Sequence, residues 1–393
     1  MVTIAVIKEA QNEPRVALSP ETAKKFAALG CTLRIESGAG LRSRFADEDY
    51  AAAGAIVAAS AMEALSGADV LLKVARPSPD EVKALKPGAI VAAIMAPFDD
   101  SDGLAALTET GATLFSMEFM PRISRAQSMD VLSSQSNLAG YKAIVDAAAL
   151  SDQAMPMMMT AAGTVPAVRA FIMGVGVAGL QAIATARRLG CVVTATDVRP
   201  ATKEQVLSLG GKFIAVENEE FKQAETAGGY AKEMSDDYKK QQADLVAGHV
   251  KKQNLIVTTA LIPGRPAPKL ISAEMVESMS PGAIIVDLAA ERGGNCELTK
   301  PGEIVEHNGV RIMGKLNLAG ELSTNASSLY AKNLLSFLSL MIDKDKKDIA
   351  IDWDDEIIQG TLLSRDGKLV HPRLVPASPA DPLPPADKEA QSK

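Results

Sequence analysis

The stretch AFIMGVGVAGLQAIATARRLGCVVTATDVR, residues 170–199, limits the possible folds of this chain more than any other. An apolar run ends at Gly174, and Gly176 and Gly179 complete the spacing G-x-G-x-x-G, with a helical pattern beginning around Val177. A second apolar run closes on Asp197, 18 residues after Gly179 (197 − 179). In a strand–turn–helix–strand unit the first glycine permits a tight turn. The second lets backbone approach a pyrophosphate, and the third lets the helix pack on the sheet. The helix start offers N–H groups and a partial positive charge to phosphate. A carboxylate placed like Asp197 accepts hydrogen bonds from ribose hydroxyls and repels a 2′-phosphate, which favours NAD(H) over NADP(H). Val198 and Arg199 follow it as rim residues.

A chain of 393 residues is long for one core, so two domains are expected. Apolar runs at 3–7, 32–36, 69–74, 88–94 and 112–117 read as strands separated by helices, which implies a parallel α/β layer. A second series has strands within 170–174, 191–197, 255–260, 283–289 and 311–316, and 137–150 reads as a connecting helix. The expected architecture is two doubly wound, Rossmann-like parallel-sheet domains separated by a cleft. The first takes residues 1–135 and 321–378, where the apolar helical stretch SSLYAKNLLSFLSLM returns to it. The second takes 136–320, and 379–393 forms a disordered tail rich in Pro, Ala and charge. A net charge of −7 argues against nucleic acid as a partner. Apolar runs break well short of ~20 residues, so no membrane span is expected. Three scattered cysteines and no signal pattern point to a reducing, cytoplasmic setting.

Further candidates lie at later strand ends. TTALIPGRPAP, 258–268, offers Ala260, Leu261, Pro263 and Gly264 to the second half of a dinucleotide, and VDLAAERGGN, 286–295, brings Asp287, Glu291 and Asn295 to the same edge. The polar insertion 217–253 carries a Gly228–Gly229 pivot with Tyr230 and Met234 close by, the make-up of a lid. His249, His307 and His371 read as solvated surface residues. A dehydrogenase reducing a carbonyl or imine needs a proton donor as well as hydride, and no histidine is placed to serve.

The remaining feature is PRISRAQSMDVLSSQSNLAGY, 121–141, a dense polar stretch without histidine, cysteine or metal-ligand spacing. Together with the runs at 157–190, 225–234, 258–268 and 286–296, it closely resembles the NAD(H)-binding component of proton-translocating nicotinamide nucleotide transhydrogenase, over nearly the whole chain. The resemblance implies that Arg122, Gln127, Asp130, Ser133 and Tyr141 orient the nicotinamide and the facing cofactor. It implies that Asp197 binds the adenosine ribose, and that Tyr230 and Met234, beside Gly229, ride on a loop closing over the nucleotide. It further implies NADP(H) on a partner subunit, a separate membrane-spanning, proton-moving subunit, a homodimer, and a peripheral place on the cytoplasmic face of a bacterial inner membrane. Hydride passing between two nicotinamide rings needs no proton donor, which accounts for the polar stretch. The related alanine dehydrogenases are the closest competitor. Their anchoring arginine and lysine are matched by Arg15 and Lys73 and their catalytic aspartate by Glu291. Their catalytic histidine would fall around Met95–Ala96, where none exists. A non-enzymatic NAD sensor is the third reading.

Overall fold

The computed structural model describes residues 1–224, 234–262 and 264–375. Two sheets organise the chain. The first contains parallel strands β1 (Thr3–Val6), β2 (Thr32–Glu36), β3 (Ile56–Ala58), β4 (Val70–Ala75), β5 (Ile90–Ile94) and β6 (Thr113–Ser116). A hairpin of β7 (Met158–Thr160) and β8 (Gly163–Val165) stands apart. The second sheet is built from β9 (Arg169–Met173), β10 (Val192–Thr196), β11 (Lys212–Phe213), β12 (Leu255–Thr258), β13 (Ile284–Asp287), β14 (Ile304–His307) and β15 (Val310–Met313). A short ribbon joins β16 (Ile342–Asp343) to β17 (Asp348–Ile349), and β18 (Leu362–Arg365) and β19 (Lys368–Leu369) return antiparallel to β6, extending the first sheet.

Both sheets reverse direction partway. The first runs β19-β18-β6-β5-β4-β1-β2-β3 and the second β11-β10-β9-β12-β13-β15-β14. The strand order therefore switches between β1 and β4, and between β9 and β12, and such switch points open the crevice that binds ligands in this fold class. Strands β4, β5, β12 and β13 are buried almost throughout, because helices cover both faces of a parallel sheet. The expected doubly wound α/β architecture is what the chain adopts, with antiparallel strands only at sheet edges.

Six helices position the site: α1 (Pro20–Ala28), α2 (Val131–Leu150), α3 (Val177–Arg188), α4 (Asp236–Val250), α5 (Ser323–Leu338) and α6 (Glu356–Thr361). Helix α1 starts as its sequence requires, with Ser19 as N-cap and Pro20 in the first turn. The apolar face of α5 is buried in the first sheet's core, where Tyr330, Leu334, Phe337 and Leu338 pack with Ile4, Phe26 and Phe115. Tyr330 donates to the Lys73 carbonyl at 2.9 Å. Among the described residues no helix is long and apolar enough to cross a membrane.

Three expectations change. The connecting helix begins at Val131, six residues before the expected start, so Ser133 and Tyr141 are helical residues and only 121–130 forms a loop. Much of the insertion 217–253 is helix α4, and its middle, 225–233, lies outside the described residues. Two histidines are not solvated. His371 is buried against Phe119, with ring centroids 4.3 Å apart. His249 sits edge-on to Phe171 and shares a hydrogen bond with Thr194. Burial holds both imidazoles below their ordinary range. His307 pairs with Glu277 at 3.1 Å.

Candidate functional site

The glycine turn follows β9 at the second sheet's switch point. Each glycine has a distinct reason to be there. Gly174 has φ +100° and lies so close to Thr259 that a Cβ would stand 2.4 Å from its Oγ. A Cβ on Gly176 would meet nothing within 4 Å, so this backbone faces open space. A Cβ on Gly179 would stand 1.9 Å from the Gly174 carbonyl oxygen, so only hydrogen lets α3 seat on the turn. No side chain caps α3 at Gly176, and its first-turn N–H groups are left for an anion. A dinucleotide pyrophosphate fits this turn.

Asp197 follows β10. Its Oδ2 accepts from the Val175 N–H at 2.7 Å and from Arg199 Nη2 at 3.0 Å. Its Oδ1 accepts from the Arg199 N–H and Nε, both at 2.9 Å. Arg199 is thus not the rim residue its sequence position suggests, because its guanidinium lies across the carboxylate. Val198 is exposed.

The strand-end candidates divide by burial. Asp287 and Asn295 are fully buried. Asp287 accepts from Thr258, Thr299 and the N–H groups of Ala289 and Cys296 at 2.6–3.1 Å. Asn295 accepts from the Ala260 N–H at 3.0 Å and donates to the Ala260 and Pro268 carbonyls at 2.8 Å. Both residues brace the loop after β12 from inside and present nothing to the cleft. What that loop exposes is Leu261, 54% accessible, and its neighbour Ile262. Gly264, at φ +70°, abuts the Phe98 ring from the first sheet's side. The Arg292–Asp99 ion pair and a hydrogen bond from Asn317 to Glu13 at 3.2 Å also cross between the sheets. Glu291 accepts from the Asn317 N–H at 2.8 Å.

The polar loop is anchored along its length. Arg125 forks onto Asp355, just before α6, at 2.6 and 2.9 Å, and Asn333 of α5 donates to the Ser128 carbonyl at 2.8 Å. Ala126 and Met129 are buried. Asp130 caps α2, accepting from the Ser133 N–H at 2.9 Å and its hydroxyl at 2.6 Å. Arg122 and Gln127 are exposed on this loop. Two turns beyond Ser133, Gly140 lies against Ala178 in the first turn of α3, and Tyr141 beside it is 41% exposed. One helix therefore carries the polar loop at its start and meets the pyrophosphate turn at its middle. Met234 is half-buried against the second sheet's core. Gly229, Tyr230 and Pro263 lie outside the described residues.

A charged cluster fills the first sheet's switch point. Arg15 is gripped by Glu13 (2.7 Å from both Nε and Nη2) and donates to Gln135 at 2.9 Å. Lys73 lies 3.7 Å from Glu9 and 3.2 Å from Glu81. Burial pushes the Glu9 carboxyl up to about 7 despite Lys73 and two backbone N–H donors. The Met95–Ala96 turn has Ala96 at φ +43°. Glu118 accepts from both its N–H groups, and Arg76 donates to both its carbonyls. Among the described residues no cluster of His, Cys, Asp or Glu fits a metal.

Residues 5–139 match the family described as alanine dehydrogenase/PNT, N-terminal domain, and 143–372 match its C-terminal domain. Over 377 residues the chain is 54% identical to the first of the polypeptides that make up the NAD(P) transhydrogenase alpha subunit of Rhodospirillum rubrum, spanning 94% of this chain and 98% of that one. The solved transhydrogenase from Sinorhizobium meliloti superposes with a TM-score of 0.85 at 53% identity, covering 94% of this chain and all of the other. An L-alanine dehydrogenase structure shares the fold, with a TM-score of 0.79 at 24% identity over 95% and 98% of the two chains.

Proposed function

Since this chain belongs to the alanine dehydrogenase/PNT family and is a transhydrogenase component, we propose that it is the component that holds NAD(H) and exchanges hydride directly with NADP(H) on a different polypeptide. Bound NADH supplies a hydride at ring C4. Gly174, Gly176, Val177 and Gly179 hold the pyrophosphate, and Asp197, Val198 and Arg199 face the adenosine ribose. Ala260, Leu261, Pro263 and Gly264 line the nicotinamide half, and Gly229, Tyr230 and Met234 close over it. Arg122, Gln127, Asp130, Ser133 and Tyr141 orient the ring and exclude water. Positioning of this kind lowers a barrier by up to ~7–11 kcal/mol. The observation that carries the reading is helix α2, which joins the anchored polar loop to the glycine turn through Gly140.

The working division is 1–135 with 321–378 as the first unit and 136–320 as the nucleotide unit, with 379–393 as tail. Helix α2 runs across the first boundary. A membrane-embedded subunit moves protons, and this chain sits on the cytoplasmic face beside it. The β7–β8 hairpin region leaves Met157 and Met159 61% and 81% exposed, an apolar surface suited to a second copy in a homodimer.

An amino-acid dehydrogenase is disfavoured because Arg15 and Lys73 are neutralised by the chain's own carboxylates, and Ala96 offers no proton donor. The test is reconstitution with an NADP-binding partner and NADH deuterated at C4. The label is expected in NADPH with no solvent exchange, and only when the partner is present. Pyruvate and ammonia are expected to give no turnover with the chain alone. Gln127→Asn, an exposed change, is expected to slow transfer at least tenfold without moving the denaturation midpoint. An unaltered rate removes the loop from the mechanism.

A further inference from the structure

The Asp197 carboxylate is saturated. Its two oxygens offer about four acceptor positions, and four N–H groups take them: those of Val175 and Arg199 from the backbone, and Nε and Nη2 of the Arg199 guanidinium. The Asp197 side chain is only 6% accessible and the Arg199 side chain 29%, so the guanidinium is the outer layer. A ribose diol donating to this carboxylate must take positions that the guanidinium now fills, while both backbone donors stay. A ribose carrying a 2′-phosphate has the opposite requirement. Bare Asp197 repels it, and a guanidinium two residues along the same loop cancels that charge and can donate to phosphate.

We infer that Arg199 is a specificity-determining residue that works against Asp197: it competes with an unphosphorylated ribose and softens the rejection of a phosphorylated one. The inference rests on the proposed NAD(H) site. The preference of this chain for NADH is then set by the Asp197–Arg199 pair and is narrower than Asp197 alone would make it.

The experiment measures Kd for NADH and for NADPH, by fluorescence of the reduced ring, in the full chain and two variants. Arg199→Ala should bind NADH several-fold more tightly and NADPH at least about tenfold more weakly, the scale of one charge-assisted contact at a partly exposed site. Arg199→Lys keeps the charge but loses the Nε–Nη2 fork. It should bind NADH more tightly while retaining most NADPH affinity, and it serves if the alanine variant folds poorly. Weaker NADH binding in both variants would make Arg199 a direct ligand of NADH and overturn the inference, as would an unchanged NADPH-to-NADH ratio in both. If the unsubstituted chain binds NADH no better than NADPH, the NAD(H) reading itself falls, and the inference with it.

Discussion

Replacing Gly140 with alanine tests whether α2 and α3 meet as closely as the site requires. Gly140 lies inside a 20-residue helix. By helix propensity alone, alanine there should stabilise the chain by ~1 kcal/mol. The packing reverses that sign. A Cβ at Gly140 would stand 2.1 Å from the Ala178 carbonyl oxygen, 2.8 Å from its carbon and 3.0 Å from its Cα. Comfortable contact needs roughly 3.5 Å, so the helices must part by about 1 Å. Every clashing atom is backbone, so no rotamer change relieves it. Overpacking typically costs about 1–3 kcal/mol, and this site belongs at or beyond the upper end, for a net loss of about 2 kcal/mol. The first turn of α3 moves too, and that turn holds the pyrophosphate in the proposed site, so NADH affinity should fall with stability. Gly248 is the control. It is exposed in α4, and a Cβ there meets nothing within 4 Å, so Gly248→Ala should stabilise by up to ~1 kcal/mol. Urea denaturation and NADH titration of both variants decide the matter. A Gly140→Ala chain as stable as the unsubstituted one, binding NADH equally well, would refute the close crossing of α2 and α3.

Asn295→Asp keeps the acceptor for the Ala260 N–H but turns a buried carboxylate towards two carbonyl oxygens. A loss of about 3 kcal/mol or more is expected in the denaturation midpoint, and a near-neutral result would mean that Asn295 does not brace the loop. Glu9 supplies a pH signature. Its carboxyl rises from 4.5 to about 7 on folding, so the stability present below pH 4.5 is progressively lost as pH rises towards 7, by about 3 kcal/mol. Glu9→Gln should flatten that slope in a pH series of urea midpoints, and an unchanged slope would assign it to other groups.

The parallel core was legible because strands buried on both faces read as unbroken apolar runs, as β4, β5, β12 and β13 do. The glycine fingerprint was legible because its spacing is set by the turn itself. Elements stabilised from a distance were not. β18 and β19 are short and partly polar, and they hold their place by pairing with β6, some 250 residues earlier. A local signal was nevertheless present, because Asp366 and Gly367 both have positive φ and Asp-Gly between strands marks a hairpin. The start of α2 was obscured by its serines and glutamine, although Asp130 followed three residues later by Ser133 is a usable N-cap signal. Nothing near His371 announces its burial, because the ring it stacks on, Phe119, is brought in by the fold. The pairing of Arg199 with Asp197 was equally hidden. A residue two positions past the ribose carboxylate can turn outward or fold back, and backbone geometry makes the choice.

The cleft also explains how related chains can share this fold and differ in chemistry. Its ionisable side chains are largely committed to one another: Arg15 to Glu13, Lys73 to Glu9 and Glu81, Arg125 to Asp355, and Asp130 to the Ser133 hydroxyl. Moving a proton to or from a substrate would mean breaking one of these pairs and leaving its partner's charge partly buried, a penalty of several kcal/mol for the inner ones. Hydride passing from one ring carbon to another asks nothing of them. It needs a fixed distance and a dry contact, and a loop anchored by Arg125, Ser128 and Asp130 on a helix locked at Gly140 supplies that rigidity. The same commitments that withhold general acid–base catalysis from the site hold its geometry, so the absence of a histidine at Ala96 and the density of polar anchors along 121–130 have one physical cause.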